Sequence, residues 1–138
     1  MATTVADVVT PDPVTLEVTR TVRDAAELMR AGDIGDVVVV EDGRLVGIVT
    51  DRDLVVRVLA VGGGPDDAIR QAVSGNVLTV SPTDSIERAA QLMSENAVRR
   101  LPVVVDDVVV GIVSIGDLAI ERDPDSALAD ISAAEPNT

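Results

Sequence analysis

Apolar positions in this chain change period at regular intervals, and the whole alternation occurs twice. Between Thr21 and Ala31, Val22, Ala25, Ala26, Leu28 and Met29 fall on one face of a 3.6-residue period. That spacing predicts an amphipathic helix, with Thr21 and Asp24 suited to its start and Gly32 to its end. Two short β-branched runs follow, Val37 to Val40 and Leu45 to Val49, separated by Glu41-Asp42-Gly43-Arg44. An Asp-Gly pair between apolar runs predicts a tight hairpin, because both central residues of that turn take positive φ. A second helix is predicted from about Asp51 through Ala60, where Gly62-Gly63-Gly64-Pro65 breaks the chain. An extended segment, Val14 to Val18, precedes the first helix.

The same order returns without a gap. Ala25, Ala26, Leu28 and Met29 reappear as Ala89, Ala90, Leu92 and Met93, and Gly47-Ile48-Val49-Thr50-Asp51-Arg52-Asp53-Leu54 as Gly111-Ile112-Val113-Ser114-Ile115-Gly116-Asp117-Leu118. The second copy predicts a strand at Val77 to Val80, a helix from Ser85 to Asn96, strands at Leu101 to Val105 and Val108 to Val113, and a helix from about Ile115. The expected fold class is therefore α+β, built from two pseudo-symmetric β-α-β-β-α repeats. Two copies are too few for a solenoid, so they are expected to pack on each other as one pseudo-symmetric globule. The expected division is a first repeat at 5–62, a linking helix at 63–72 centred on Asp66 to Val73, a second repeat at 73–122 and a polar tail at 123–138.

Composition narrows the chemistry. The 138 residues carry 24 acids against 11 bases, a formal charge of −13, and every base is Arg. Such a surface repels a phosphodiester backbone, and the lack of Phe, Tyr and Trp removes the stacking platforms of single-strand binders. Nucleic acid is not an expected partner. With neither Cys nor His, the chain has no thiol or imidazole for nucleophilic, acid–base or soft-metal chemistry. No enzyme activity and no dedicated metal site are expected. No apolar run approaches the ~20 residues of a membrane helix, and the N-terminus lacks a basic start and a long apolar stretch. The expectation is a cytoplasmic, soluble protein.

The pattern Gly-apolar-apolar-Thr/Ser-x-x-Asp closing each repeat, behind the strand pair and the Ala-Ala-x-Leu-Met helix, resembles a tandem pair of CBS domains, the cystathionine-beta-synthase-type repeat also called a Bateman module. Arg99-Arg100-Leu101-Pro102-Val103 stands in its expected place. The resemblance covers about Val5 to Arg122 and leads to the expectation of a stand-alone module. It implies repeats packed through their sheets about a pseudo-twofold axis, with two clefts between them in which adenosine-containing ligands often sit. Asp53, and in the other cleft Asp117, would hold the ribose hydroxyls, with Thr50 and Ser114 reaching ribose or phosphate and backbone groups of the opposite repeat reading adenine. A carboxylate can accept two hydrogen bonds from a ribose diol. The same residues also read as helix capping boxes, and the two roles are compatible.

Arg99 and Arg100 stand where resembling modules meet ligand phosphates, and they read equally as a surface pair neutralising nearby acids. Their counterparts are Gly35 and Asp36, while Arg52 has Gly116 as its counterpart. The cleft of Thr50, Arg52 and Asp53, walled by Leu78, Val98 and Arg99, is the expected phosphate site. The cleft of Ser114 and Asp117, walled by Val14, Ile34 and Gly35, is expected to take a less charged adenosine compound or nothing. No cofactor is required in this reading; the ligand is an adenine nucleotide or S-adenosylmethionine acting as a regulator, with magnesium only as ATP carries it. Partners expected from the resemblance are a second copy, through helices around Leu28-Met29 and Leu92-Met93, and a regulated protein; the same Leu-Met pairs read equally as ordinary core. The alternative is a ligand-independent dimeric interaction protein with vestigial clefts.

Overall fold

The structure, a computed structural model, describes residues 4–73 and 77–122, the side chains of 120–122 excepted. In chain order it contains a 3-10 turn at Val5–Asp7, β1 (Thr10–Pro11), β2 (Thr15–Glu17), α1 (Val22–Gly32), β3 (Asp36–Glu41) and β4 (Arg44–Thr50). Then come α2 (Asp51–Asp53), a π-helix at Leu54–Val58 and 3-10 turns at Leu59–Val61 and Ile69–Ala72. The last elements are α3 (Ile86–Asn96), β5 (Arg100–Val105), β6 (Val108–Ser114) and α4 (Ile115–Arg122). The expected tail at 123–138 lies outside the described residues.

The chain divides into two compact units. One holds the described residues between Pro13 and Val77; the other joins those up to Asp12 with those from Leu78 on. In the first unit β2 runs parallel beside β3, which pairs antiparallel with β4. Val37, Val38, Val39 and Val40 are all buried, which is why the strand reads as an unbroken apolar run rather than an alternation. Val22, Ala25 and Met29 of α1 pack with Leu16, Val18, Val37, Val39 and Val49. In the second unit Ile86, Ala89 and Met93 of α3 pack with Leu101, Val103 and Val113 in the same way. Both methionines that the sequence offered as dimer contacts are thus core residues, with Leu28 and Leu92 partly buried beside them.

The hairpins follow the sequence closely. Asp42 and Gly43 turn with φ of 52° and 82°, and Asp106 and Asp107 with 50° and 68°, the double positive φ that matches the twist of the flanking strands. Each hairpin shifts register at the same point, between Val39 and Val40 and between Val103 and Val104.

The structure departs from expectation in four places. The extended segment at Val77 to Val80 is reduced to a single parallel bridge, Val80 to Val103. Proline explains this. In the first unit Val38 N donates to Val14 O at 3.1 Å and Val18 N to Val40 O at 2.8 Å. The counterparts of Val38 and Val18 are Pro102 and Pro82, which have no N–H to give. The linking helix at Asp66 to Val73 shrinks to the turn at Ile69–Ala72. Asp67 is already spent in the preceding bend, where its N donates to Gly64 O and its carboxylate accepts from Gly64 N at 2.9 Å. The helix from Asp51 widens at Leu54–Val58, where Leu59 N reaches back to Leu54 O as well as Val55 O. This wider turn holds Val55, Val56 and Val58, whose branched side chains crowd a regular helix. Finally, α1 runs through Gly32, and Asp33 takes the left-handed position at φ 53° instead.

The compact units also cut across the repeats. Val5, at the head of the first repeat, is fully buried in the core of the second unit, and its N donates to Asp84 O at 2.8 Å. Ile69, the counterpart of Val5 ahead of the second repeat, is fully buried in the first unit, with its N on Arg20 O at 2.9 Å. Each leader segment therefore completes the core of the repeat that it does not precede in the duplication.

Candidate functional site

Each Thr/Ser-x-x-Asp motif sits where a strand ends and a helix begins. Thr50 closes β4 with extended dihedrals and caps Asp51–Asp53. Its Oγ1 accepts from Asp53 N at 3.1 Å, while Thr50 N donates to Asp53 Oδ2 at 2.9 Å. Ser114 closes β6 with the same pair of bonds, Asp117 N to Ser114 Oγ at 3.1 Å and Ser114 N to Asp117 Oδ2 at 2.9 Å. Both motifs are complete capping boxes, satisfying backbone N–H groups that a helix start would leave without partners. The box also occurs outside the motif, at Thr21 with Asp24. By itself it is therefore a helix start, and any further chemistry lies in the atoms it leaves over.

Those leftover atoms differ between the motifs. Accepting one bond leaves the hydrogen of each hydroxyl available to donate. At Asp53 the second oxygen, Oδ1, faces Arg57 Nε at 3.5 Å, one helical turn on. The Asp-to-Arg spacing of four in the sequence is the signal that carries this pair. At Asp117, Oδ1 has no ion-pair partner among the described residues. Four residues on, the sequence has Glu121 where the first repeat has Arg57.

The flanking residues fall beside the motif of their own unit. Asp51 N donates to Gly35 O at 3.0 Å, and a Cβ on Gly35 would lie 3.5 Å from Asp51 Oδ2. Asp36 is paired with Thr50 across the β3–β4 ladder. Ile34 N closes the end of α1 on Met29 O, and Val14 O receives Val38 N. The first unit thus brings Val14, Ile34 and Gly35 to the end of the sheet that carries Thr50, Arg52 and Asp53. In the second unit Ile115 N donates to Arg99 O at 2.8 Å, Arg100 is paired with Ser114, and Val98 N reaches Met93 O at 3.1 Å. Leu78 and Val98 pack against that unit's core. Arg99, grouped with Thr50 in the sequence reading, lies beside the Ser114 motif.

Arg52 and Arg99 are both exposed and have no ion-pair partner among the described residues. No polar or charged side chain among the described residues is buried. A depression of about 530 Å³ lined by Glu41, Asp42, Arg44, Leu45 and Val46 lies at the hairpin tip, the opposite end of β3 and β4 from Thr50. No described helix is long and apolar enough to cross a membrane.

The profile of the CBS domain matches residues 5–60 and 69–122. The chain is 37% identical over 132 residues to the CBS domain-containing protein YhcV of Bacillus subtilis, covering 93% of this chain and 94% of that one. Its fold is similar to the CBS domain pair of protein MJ0100, solved with 5′-methylthioadenosine and S-adenosyl-L-methionine. The TM-score is 0.80 at 27% identity, over 91% of this chain and all of that one. CBSX2, solved with AMP, gives a TM-score of 0.77 at 28% identity, over 88% of this chain and 96% of that one. With both repeats matched and the strand–helix boxes in register, the chain belongs to the CBS domain family and carries a tandem pair of its repeats.

Proposed function

We propose that this protein is a non-enzymatic regulatory module. It binds an adenosine-containing ligand, AMP, ADP, ATP or S-adenosylmethionine, at its Thr/Ser-x-x-Asp motifs and passes the bound state to a partner protein or to a second copy. The observation that carries this reading is the pair of equivalent boxes, each holding a hydroxyl with its hydrogen unspent beside an oriented carboxylate. A carboxylate fixed through one oxygen retains acceptor sites for a ribose diol. The complexes of MJ0100 and CBSX2 with adenosine compounds support the ligand class.

Adenine would rest on aliphatic side chains, Val14 and Ile34 in one site and Leu78 and Val98 in the other, since the chain has no aromatic ring. With few polar groups to fix the base, affinity belongs in the micromolar range, about −8 kcal/mol. A ligand shifts the module only as far as it favours one state over the other. Calorimetric titration with AMP, ADP, ATP and S-adenosylmethionine tests the reading. Saturable micromolar binding of one of them is expected, and a subnanomolar constant would contradict the aliphatic site.

A second reading, a dimer indifferent to ligand, is favoured by one observation. Val55, Val56, Leu59 and Val61 are exposed on the helical segment after Asp53, Val61 to 75%. Sedimentation with and without ATP separates the two: a dimer whose stability ignores every adenosine compound supports the second.

A further inference from the structure

The N-terminal arm, residues 4–12, is held by the second unit. Val5 N donates to Asp84 O at 2.8 Å and Ala6 N to Pro82 O at 2.9 Å, Thr4 bridges Ser85, and β1 sets Thr10 and Pro11 against Ile112 and Gly111 of β6. Val5 is fully buried in the core of Val80, Ile86, Leu101 and Val113, with Val8 and Val9 packed beside it. The chain passes to the other unit at the joint Asp12-Pro13. There Asp12 lies in the left-handed region at φ 53°, although the ring of a proline pushes the residue before it toward extended backbone. The joint is strained while the arm lies on its own chain, and such strain persists only where the surroundings enforce it. Thr10, Pro11 and Asp12 are all exposed.

We infer that this arm is an exchangeable element: two copies of the chain associate by each laying residues 4–12 in the groove of the other's second unit. The groove that takes the foreign arm is the one that holds its own, so the Val5 burial, the bonds to Pro82 O and Asp84 O and the β1–β6 pairing are all reproduced. The exchange forfeits none of this packing, and Asp12 gains the freedom to extend. Exchange of an identical element is a low-cost route to a twofold pair. In that pair the partner copy supplies Val5 to a core that is incomplete without it. The counterpart segment around Ile69 has no such joint, because it lies in the first unit as part of the same unbroken stretch, Pro13 to Val77.

The chain has no cysteine, so introduced thiols report where the arm lies. Thr4 and Ser85 stand opposite each other in an antiparallel bridge, at a Cα separation of about 5 Å that a disulfide spans. Full-length Thr4→Cys and Ser85→Cys chains are mixed in urea, refolded together at high concentration, oxidised and cut with trypsin; circular dichroism checks that they fold. A disulfide joining peptides 1–20 and 71–88 then arises only between chains. This link is expected to form and to rise with protein concentration. Placing Asp12→Gly in both chains, which accepts φ 53° without strain, should reduce it about fivefold. A mixture of Thr4→Cys with Thr21→Cys, the equivalent position in the first unit, should give no such link. The double variant Thr4→Cys/Ser85→Cys, oxidised at high dilution, should close the bond within one chain. A double variant that closes while the mixed chains never join would overturn the inference, as would equal linking to Thr21→Cys or no response to Asp12→Gly. A double variant that does not close would show the arm undocked, and the inference falls with it.

Discussion

Val5 and Ile69 occupy the same place in two different cores. Val5 N donates to Asp84 O at 2.8 Å and Ile69 N to Arg20 O at 2.9 Å, and both side chains are fully buried. Truncating either leaves a cavity lined by aliphatic neighbours. Ile69→Ala is expected to cost about 3 kcal/mol and Val5→Ala about 2 kcal/mol. Urea denaturation followed by far-ultraviolet circular dichroism measures both, the chain having no tryptophan. A Val5→Ala loss below about 0.5 kcal/mol, the range of ordinary surface changes, would mean that the leader is undocked in solution.

Ala97 ends α3 in the left-handed region at φ 53°, where a Cβ clashes with the backbone. Ala97→Gly is expected to raise stability by about 1 kcal/mol. Asp107 at φ 68° stands where the first hairpin has Gly43, and Asp107→Gly should act in the same direction with a smaller gain, since Asp tolerates this region better than Ala. A loss in the Ala97 variant would show that the cap differs in solution.

Gly111 is buried against the N-terminal segment. A Cβ there would run into the Val9 side chain and come within 2.7 Å of Thr10 O. The backbone cannot yield as a flexible side chain can, so Gly111→Ala should destabilise by about 2 kcal/mol, within the usual range for overpacking. The Thr10 to Ile112 pairing should loosen, which amide exchange at β1 would detect.

The Asp24 carboxyl is held below the usual carboxylate range, chiefly by the hydrogen bond from Thr21 N, against the opposing effect of burial. A depressed folded value stabilises the protein above the ordinary carboxylate pKa, and that contribution is lost as pH falls through the lowered value. Asp24→Asn should therefore lower the melting temperature at pH 7 and converge on the wild type in strong acid. Parallel melting curves at every pH would exclude this linkage.

Ser114→Ala and Thr50→Ala each remove a cap and should each cost about 1 kcal/mol without any ligand present. The variant at whichever motif holds the ligand should also weaken ATP. Equal weakening in both variants would argue that the motifs share the ligand.

The helix faces, both hairpin turns and the position of each box were legible in the sequence because they depend on near neighbours. Period, an Asp-Gly or Asp-Asp pair and a hydroxyl three residues before an acid suffice for them. The loss of the Val77 to Val80 strand was legible in principle, since Pro82 and Pro102 announce two missing donors. Using that signal requires knowing which strand accepts from which, and spacing along the chain does not show it. The packing of Val5 and Ile69 was not legible, because each belongs to a core distant in sequence.

By itself, the sequence determined the duplication, the α+β repeat, the family and the two hydroxyl–carboxylate motifs, all carried by local spacing and by one copy confirming the other. Only the tertiary structure decided which leader fills which core and which charges stand beside each motif. Asp36 lies opposite Thr50, Arg100 opposite Ser114, and Arg99 beside Ile115 through strand register and backbone hydrogen bonds. Electrostatic preference depends on distances in space, and chain folding sets those distances.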